Sequence, residues 1–145
     1  PGVEPEFWTD GWDGYPRARA RLLRELSSRR ARNPLVISGD VHMAAVADLK
    51  VDFDDAKSPV VATEFCGTSI SSQGPSRKRV ETIIAKNPHI KLADGARRGY
   101  TVLDLNAERC VATLRALHDV RNPDSGMFDL ATFAVEDGRP GAVRT

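Results

Sequence analysis

Leu35-Val36-Ile37-Ser38 is a short apolar run without polar alternation, the pattern of a strand covered on both faces. Such a strand places the chain in a layered fold. Asn33-Pro34 ends any preceding helix, and Gly39-Asp40-Val41-His42 follows the strand at its C-terminal end. α/β proteins bind ligands beyond the carboxyl ends of their strands. That tetrapeptide is therefore the first place to look for chemistry.

The other elements can be read around this strand. Pro16 to about Arg30 forms a helix, with Pro16 at its first turn and Ala18, Leu22, Leu23 and Leu26 on one face. Its arginines read as a solvated face. Upstream, Phe7, Trp8, Trp12 and Tyr15 need packing partners, so 1–16 reads as an ordered loop. Met43 to Phe53 and Val60 to Phe65 are strand candidates. A hydroxyl-rich loop runs from Gly67 to Gly74. Ser76 to Lys86 forms a short helix with Val80, Ile83 and Ile84 buried, closed by Asn87-Pro88. Gly99 to Leu105 and Arg109 to Leu117 alternate around a turn, and Met127 to Glu136 forms a last strand ending at Asp137-Gly138. Arg139 to Thr145 reads as a loose tail. The order implies α/β or α+β with one central sheet, antiparallel toward the C-terminus.

The length, 145 residues, suits a single domain over 1–145. A net charge of +1 gives no field favouring nucleic acid or an anionic membrane, and no aromatics interleave with the helix arginines to stack bases. No apolar run approaches the roughly 20 residues of a membrane helix. The chain begins at Pro1, not at an initiator Met, and any export signal is expected to precede it. Cys66 and Cys110 form no CxxC pair. One disulfide and two buried thiols both stand open, the thiols being the plainer reading.

In extended backbone, residues i and i+2 project to the same side. Asp40 and His42 would then aim a carboxylate and an imidazole at one point, with Val41 turned into the core and Gly39 easing the exit from the sheet. That mixed donor set suits iron, zinc or manganese. His89, in Asn87-Pro88-His89-Ile90, is either a phosphate contact at the site mouth or a satisfied turn histidine. His118 reads as a surface residue. Glu64, Thr68, Ser69, Ser71 and Ser72 surround a loop able to shape an anion site. Asp52-Phe53-Asp54-Asp55 lacks the Gly and Glu of a calcium loop and reads as an exposed acidic turn.

Five segments in order resemble the C-terminal half of PhoD-like phosphatases: Trp12-Asp13-Gly14-Tyr15-Pro16, Ser38-Gly39-Asp40-Val41-His42, Ala62 to Ser72, Asn87-Pro88-His89-Ile90 and Arg98-Gly99-Tyr100. That family is similar to the calcineurin-like metallophosphoesterases. The resemblance implies the C-terminal part of a four-layer αββα sandwich with a mixed sheet. It implies that Asp40 and His42 are metal ligands, that ferric iron and calcium are the cofactors, and that His89 is the candidate catalytic contact. It implies hydrolysis of phosphate monoesters or diesters by a metal-bound hydroxide, as an alkaline phosphatase or phosphodiesterase outside the cytoplasm, exported by a twin-arginine signal. The remaining ligands would come from an N-terminal half of the same protein. Without them the chain alone is expected to be incomplete and inactive, and the alternative is a non-catalytic fragment or scaffold domain.

Overall fold

The computed structural model describes residues 10–28 and 32–145. Phe7, Trp8 and the helix end expected at about Arg30 lie outside them. A 3-10 turn at Trp12–Gly14 leads into α1, Pro16–Ser28. Strands β1 (Leu35–Ser38), β2 (Ala44–Lys50) and β3 (Val60–Cys66) follow, then α2 (Arg77–Lys86) and β4 (Ile90–Asp94). The chain continues through β5 (Gly99–Leu105), β6 (Arg109–Leu117), β7 (Met127–Glu136) and β8 (Arg139–Arg144).

The single sheet read from element order is two sheets of four strands, as the sandwich implied by the resemblance requires, ordered β1-β3-β2-β4 and β5-β6-β7-β8. In the first, β1 runs parallel to β3, and β2 runs antiparallel to both β3 and β4. The C-terminal ends of β1, β3 and β4 therefore emerge at one end of the sheet, beside the start of β2. The second sheet is an antiparallel meander, which its alternating sequence anticipates.

The sheets face each other across the core. Ala44, Val46 and Phe65 of the first meet Cys110, Ala112, Leu114, Phe133, Val135 and Ala142 of the second. Small residues dominate the meeting faces, which lets the layers approach closely. On the other side of the first sheet, Val80 of α2 packs with Met43, Ala45 and Cys66. The Ser76 hydroxyl caps α2 by accepting from the Arg79 amide. α1 packs on β3 and α2 on β4, both in the first sheet, consistent with the C-terminal part of a larger sandwich. No described helix is long and apolar enough to cross a membrane.

Several expectations need correction. Arg139 to Thr145 is not a loose tail. Gly138, at φ 72°, turns the chain back as β8, and Ala142 is fully buried. β4 was not anticipated. Trp12 and Tyr15 are 52% and 61% exposed rather than packed. Ile84 also lies exposed, leaving Val80 as the buried residue of α2. Both cysteines are free and buried, as the plainer reading held.

Candidate metal centre

The segment after β1 is a bend, not an extended strand. Asp40 has φ 71° and His42 φ 55°, both in the left-handed region that non-glycine residues rarely enter. The Val41 amide donates to the Gly39 carbonyl at 2.9 Å, closing a tight turn. Val41 is 48% exposed, so it does not turn into the core, and strand alternation cannot be what orients its neighbours. Two left-handed residues each cost on the order of 1–3 kcal/mol and persist only where surrounding contacts fix them.

Those contacts are present for His42. Its Nδ1 lies 3.0 Å from the Gln73 carbonyl oxygen. A carbonyl only accepts, so Nδ1 carries a proton, and in the neutral ring Nε2 then keeps its lone pair. A neutral imidazole held by a backbone carbonyl through one nitrogen is prepared to ligate a cation through the other. Asp40 is exposed, and its carboxylate has no partner among the described residues. One carboxylate and one imidazole suit an iron-like cation and leave most coordination positions unfilled. Among the described residues no group of three or more His, Cys, Asp or Glu could hold a metal ion. The pair thus fits as part of a ligand set and not as a whole one.

Beneath the pair lies a residue whose role sequence reasoning missed. Arg98 is 4% exposed. Its Nη1 donates to the His42 carbonyl at 3.3 Å, to the Ser69 hydroxyl at 2.6 Å and to the Ser72 carbonyl. Its Nη2 donates to the Gly95 carbonyl. It ties the loops after β1, β3 and β4 together. Gly74 lies against the same guanidinium. A Cβ there would meet the His42 carbonyl at 2.3 Å, the Gly95 carbonyl at 2.5 Å and Arg98 Nη2 at 2.8 Å. Arg98-Gly99-Tyr100 marked the segment, but nothing local in the sequence marks an arginine as buried.

The hydroxyl-rich loop has a shaping role. Ser69 donates to the Ser72 carbonyl at 2.6 Å, and Thr68 to the Arg97 carbonyl at 3.0 Å. Glu64 accepts from the Ser38 hydroxyl at 2.6 Å, one residue before Gly39. Cys66 lies alongside, its Sγ 3.9 Å from the Gly39 carbonyl oxygen. Burial raises its thiol pKa, and the Glu64 charge raises it further against a lowering hydrogen bond to Ser38. A thiol so held stays protonated and is a poor nucleophile.

His89 lies elsewhere. Its carbonyl accepts from the Asp48 amide at 2.9 Å, whereas Ala44 marks the end of β2 nearest His42. Four residues of strand separate these points, about 13 Å at ~3.3 Å per residue. The His89 ring packs against Phe53 with centroids 4.6 Å apart, and burial lowers its pKa. The structure therefore joins Asp40 to His42 in one turn and sets His89 apart. His118 is exposed and stacks on Phe128. Asp52, Asp54 and Asp55 form the exposed turn, with Asp52 and Asp55 accepting from backbone amides two residues on.

Residues 2–114 match the family model described as PhoD-like phosphatase. Alkaline phosphatase D of Bacillus subtilis (strain 168) is 34% identical over 142 residues, covering 96% of this chain and 24% of that protein. The solved "Structure of PhoD" aligns with a TM-score of 0.85 and 32% identity, covering 94% of this chain and 26% of that one. The chain spans about a quarter of the length of either relative.

Proposed function

The chain belongs to the PhoD-like phosphatase family, and from that membership we propose that it takes part in metal-dependent hydrolysis of phosphate monoesters or diesters, with Asp40 and His42 supplying two of the ligands. The observation that supports this reading most is the His42 ring. Its Nδ1 is committed to the Gln73 carbonyl, which leaves Nε2 of the neutral ring available in the same turn as Asp40, whose carboxylate has no partner among the described residues. Ferric iron with calcium is the proposed metal set, and the remaining ligands are assigned to the length of the relatives that this chain does not cover. A cation held there would supply charge that lowers the pKa of water toward neutrality and offsets the charge on phosphoryl oxygens.

The chain's own residues then hold and orient. Asp40 contributes negative charge. The Gln73 carbonyl engages His42 Nδ1, and Arg98 holds the His42 carbonyl. Small phosphoesters and phosphodiesters are the substrate class, acted on outside the cytoplasm after twin-arginine export. A contact from His89 requires a substrate that extends along β2. Loss of turnover in His89→Ala would place His89 on that path, and unchanged turnover would remove it.

The test is substitution in the longer protein. Asp40→Ala and His42→Ala should each lower bound iron and phosphodiester turnover together. Unchanged iron content and turnover in both variants would refute the proposal. A second reading, an inert 145-residue fragment, is favoured by the lack of a third ligand among the described residues. Metal analysis of the isolated chain decides it, because tightly held stoichiometric metal is incompatible with an inert fragment.

A further inference from the structure

We propose that Arg98 is a positioning residue for His42, setting both the backbone of that residue and the tautomer of its ring. The inference rests on the metal reading only in its consequence for ligation. The positioning itself is a property of the free chain.

A buried guanidinium is costly unless its donors are matched. Among the described residues Arg98 has no carboxylate partner. Its acceptors are instead neutral, and they come from three separate loops: the His42 carbonyl after β1, Ser69 Oγ and the Ser72 carbonyl after β3, and the Gly95 carbonyl after β4. An uncompensated cation at 4% exposure is a poor way to hold three loops together for stability alone, since apolar side chains of similar volume often serve as well. What the guanidinium does that an apolar residue cannot is fix where carbonyl groups lie.

Two of those placements converge on one side chain. The His42 carbonyl is held directly, at a residue whose φ of 55° needs support. The Ser72 carbonyl is held one residue before Gln73, and Gly74 packs on Nη2 one residue after it. Gln73 is thus fixed from both neighbours, and its carbonyl is the group that engages His42 Nδ1. A single planar fork with five donors can bridge these acceptors. A lysine ammonium carries the same charge but is a point donor and cannot span the three loops.

The experiment follows the His42 ring in the 145-residue chain by ¹⁵N NMR, at a pH where all three imidazoles are neutral. Mn²⁺ is then titrated and line broadening recorded. Wild type should show the Nδ1–H tautomer and selective broadening at His42. In Arg98→Gln and Arg98→Lys the ring should become a tautomer mixture. The Mn²⁺ concentration for half-broadening should rise about 10–100-fold, the range for loss of an outer-shell partner. Dispersed amide signals and a cooperative melt in the same samples separate this from unfolding. Should the Arg98 variants not fold, Ser69→Ala removes one acceptor from outside the ligand turn and should shift the tautomer in the same direction. If His42 keeps its tautomer and its Mn²⁺ response in every folded variant, the inference is overturned. If wild type shows no broadening at His42 while the tautomer still depends on Arg98, the positioning stands and the metal reading fails.

Discussion

His42 Nδ1 and the main-chain oxygen of Gln73 lie 3.0 Å apart, joining two turns separated by 31 residues. The acceptor is backbone, so the Gln73 side chain is irrelevant to it. Gln73 is exposed, and Gln73→Ala should change stability by less than about 0.5 kcal/mol. Under the proposed metal reading it should also leave bound iron unchanged, whereas His42→Ala should lower it. Urea unfolding and elemental analysis of both variants check this. Metal loss in Gln73→Ala would mean that its amide, rather than its carbonyl, acts on the site.

Gly74→Ala should disturb the same turn from below. Its Cβ would approach two carbonyl oxygens and the Arg98 guanidinium at 2.3 to 2.8 Å. The carbonyls belong to fixed turns and cannot yield cheaply. Overpacking of this kind costs about 1–3 kcal/mol. The urea midpoint should fall, and the His42 amide and ring resonances should move with it. A variant as stable as wild type, with His42 unmoved, would show that the three loops slide freely past one another.

Different parts of this molecule were legible to different degrees. β5, β6 and β7 were readable from alternation and from turn residues at Asn106 and Asp137-Gly138, and their bounds match. β8 was hidden by Pro140 and Gly141, which look like breakers. On an edge strand, however, a proline need not donate to the ladder, and Gly141 sits at φ 109° beside the Asp48 carboxylate. The Gly39-Asp40-Val41-His42 segment drew attention for a geometry it does not have. Left-handed φ at two non-glycine residues is imposed by contacts from distant loops, and no local pattern encodes it. The split into two sheets and the burial of Arg98 are properties of topology for the same reason.

His89 gives a pH dependence of defined sign. Burial lowers its pKa below the ordinary 6.5, outweighing the Glu64 charge that raises it. The folded state thus prefers the neutral ring more than the unfolded state does. Its contribution is present above about pH 6.5 and is lost as pH falls through the lower folded value. Urea midpoints taken downward from pH 7.5 should decline in wild type and decline less in His89→Gln, which cannot gain the charge. Parallel curves for the two proteins would show that the ring titrates in the folded chain as it does in water.

Asp48 offers the sharpest test of how the two sheets are joined. Its carboxylate side chain is 13% exposed and lies 2.9 Å from Lys91 Nζ within the first sheet. The other oxygen accepts from the Ala142 amide of β8 at 3.0 Å. The Lys91 side chain is 35% exposed, so the ion pair contributes little. The amide bond matters more, because Ala142 is fully buried and water cannot replace the lost acceptor. Asp48→Ala should therefore cost about 1–3 kcal/mol, and Asp48→Asn less, since its amide oxygen still accepts. Hydrogen exchange at the Ala142 amide should quicken in Asp48→Ala and stay near wild type in Asp48→Asn. If both variants unfold at the wild-type urea concentration, β8 is held by its apolar contacts and its ladder to β7 alone.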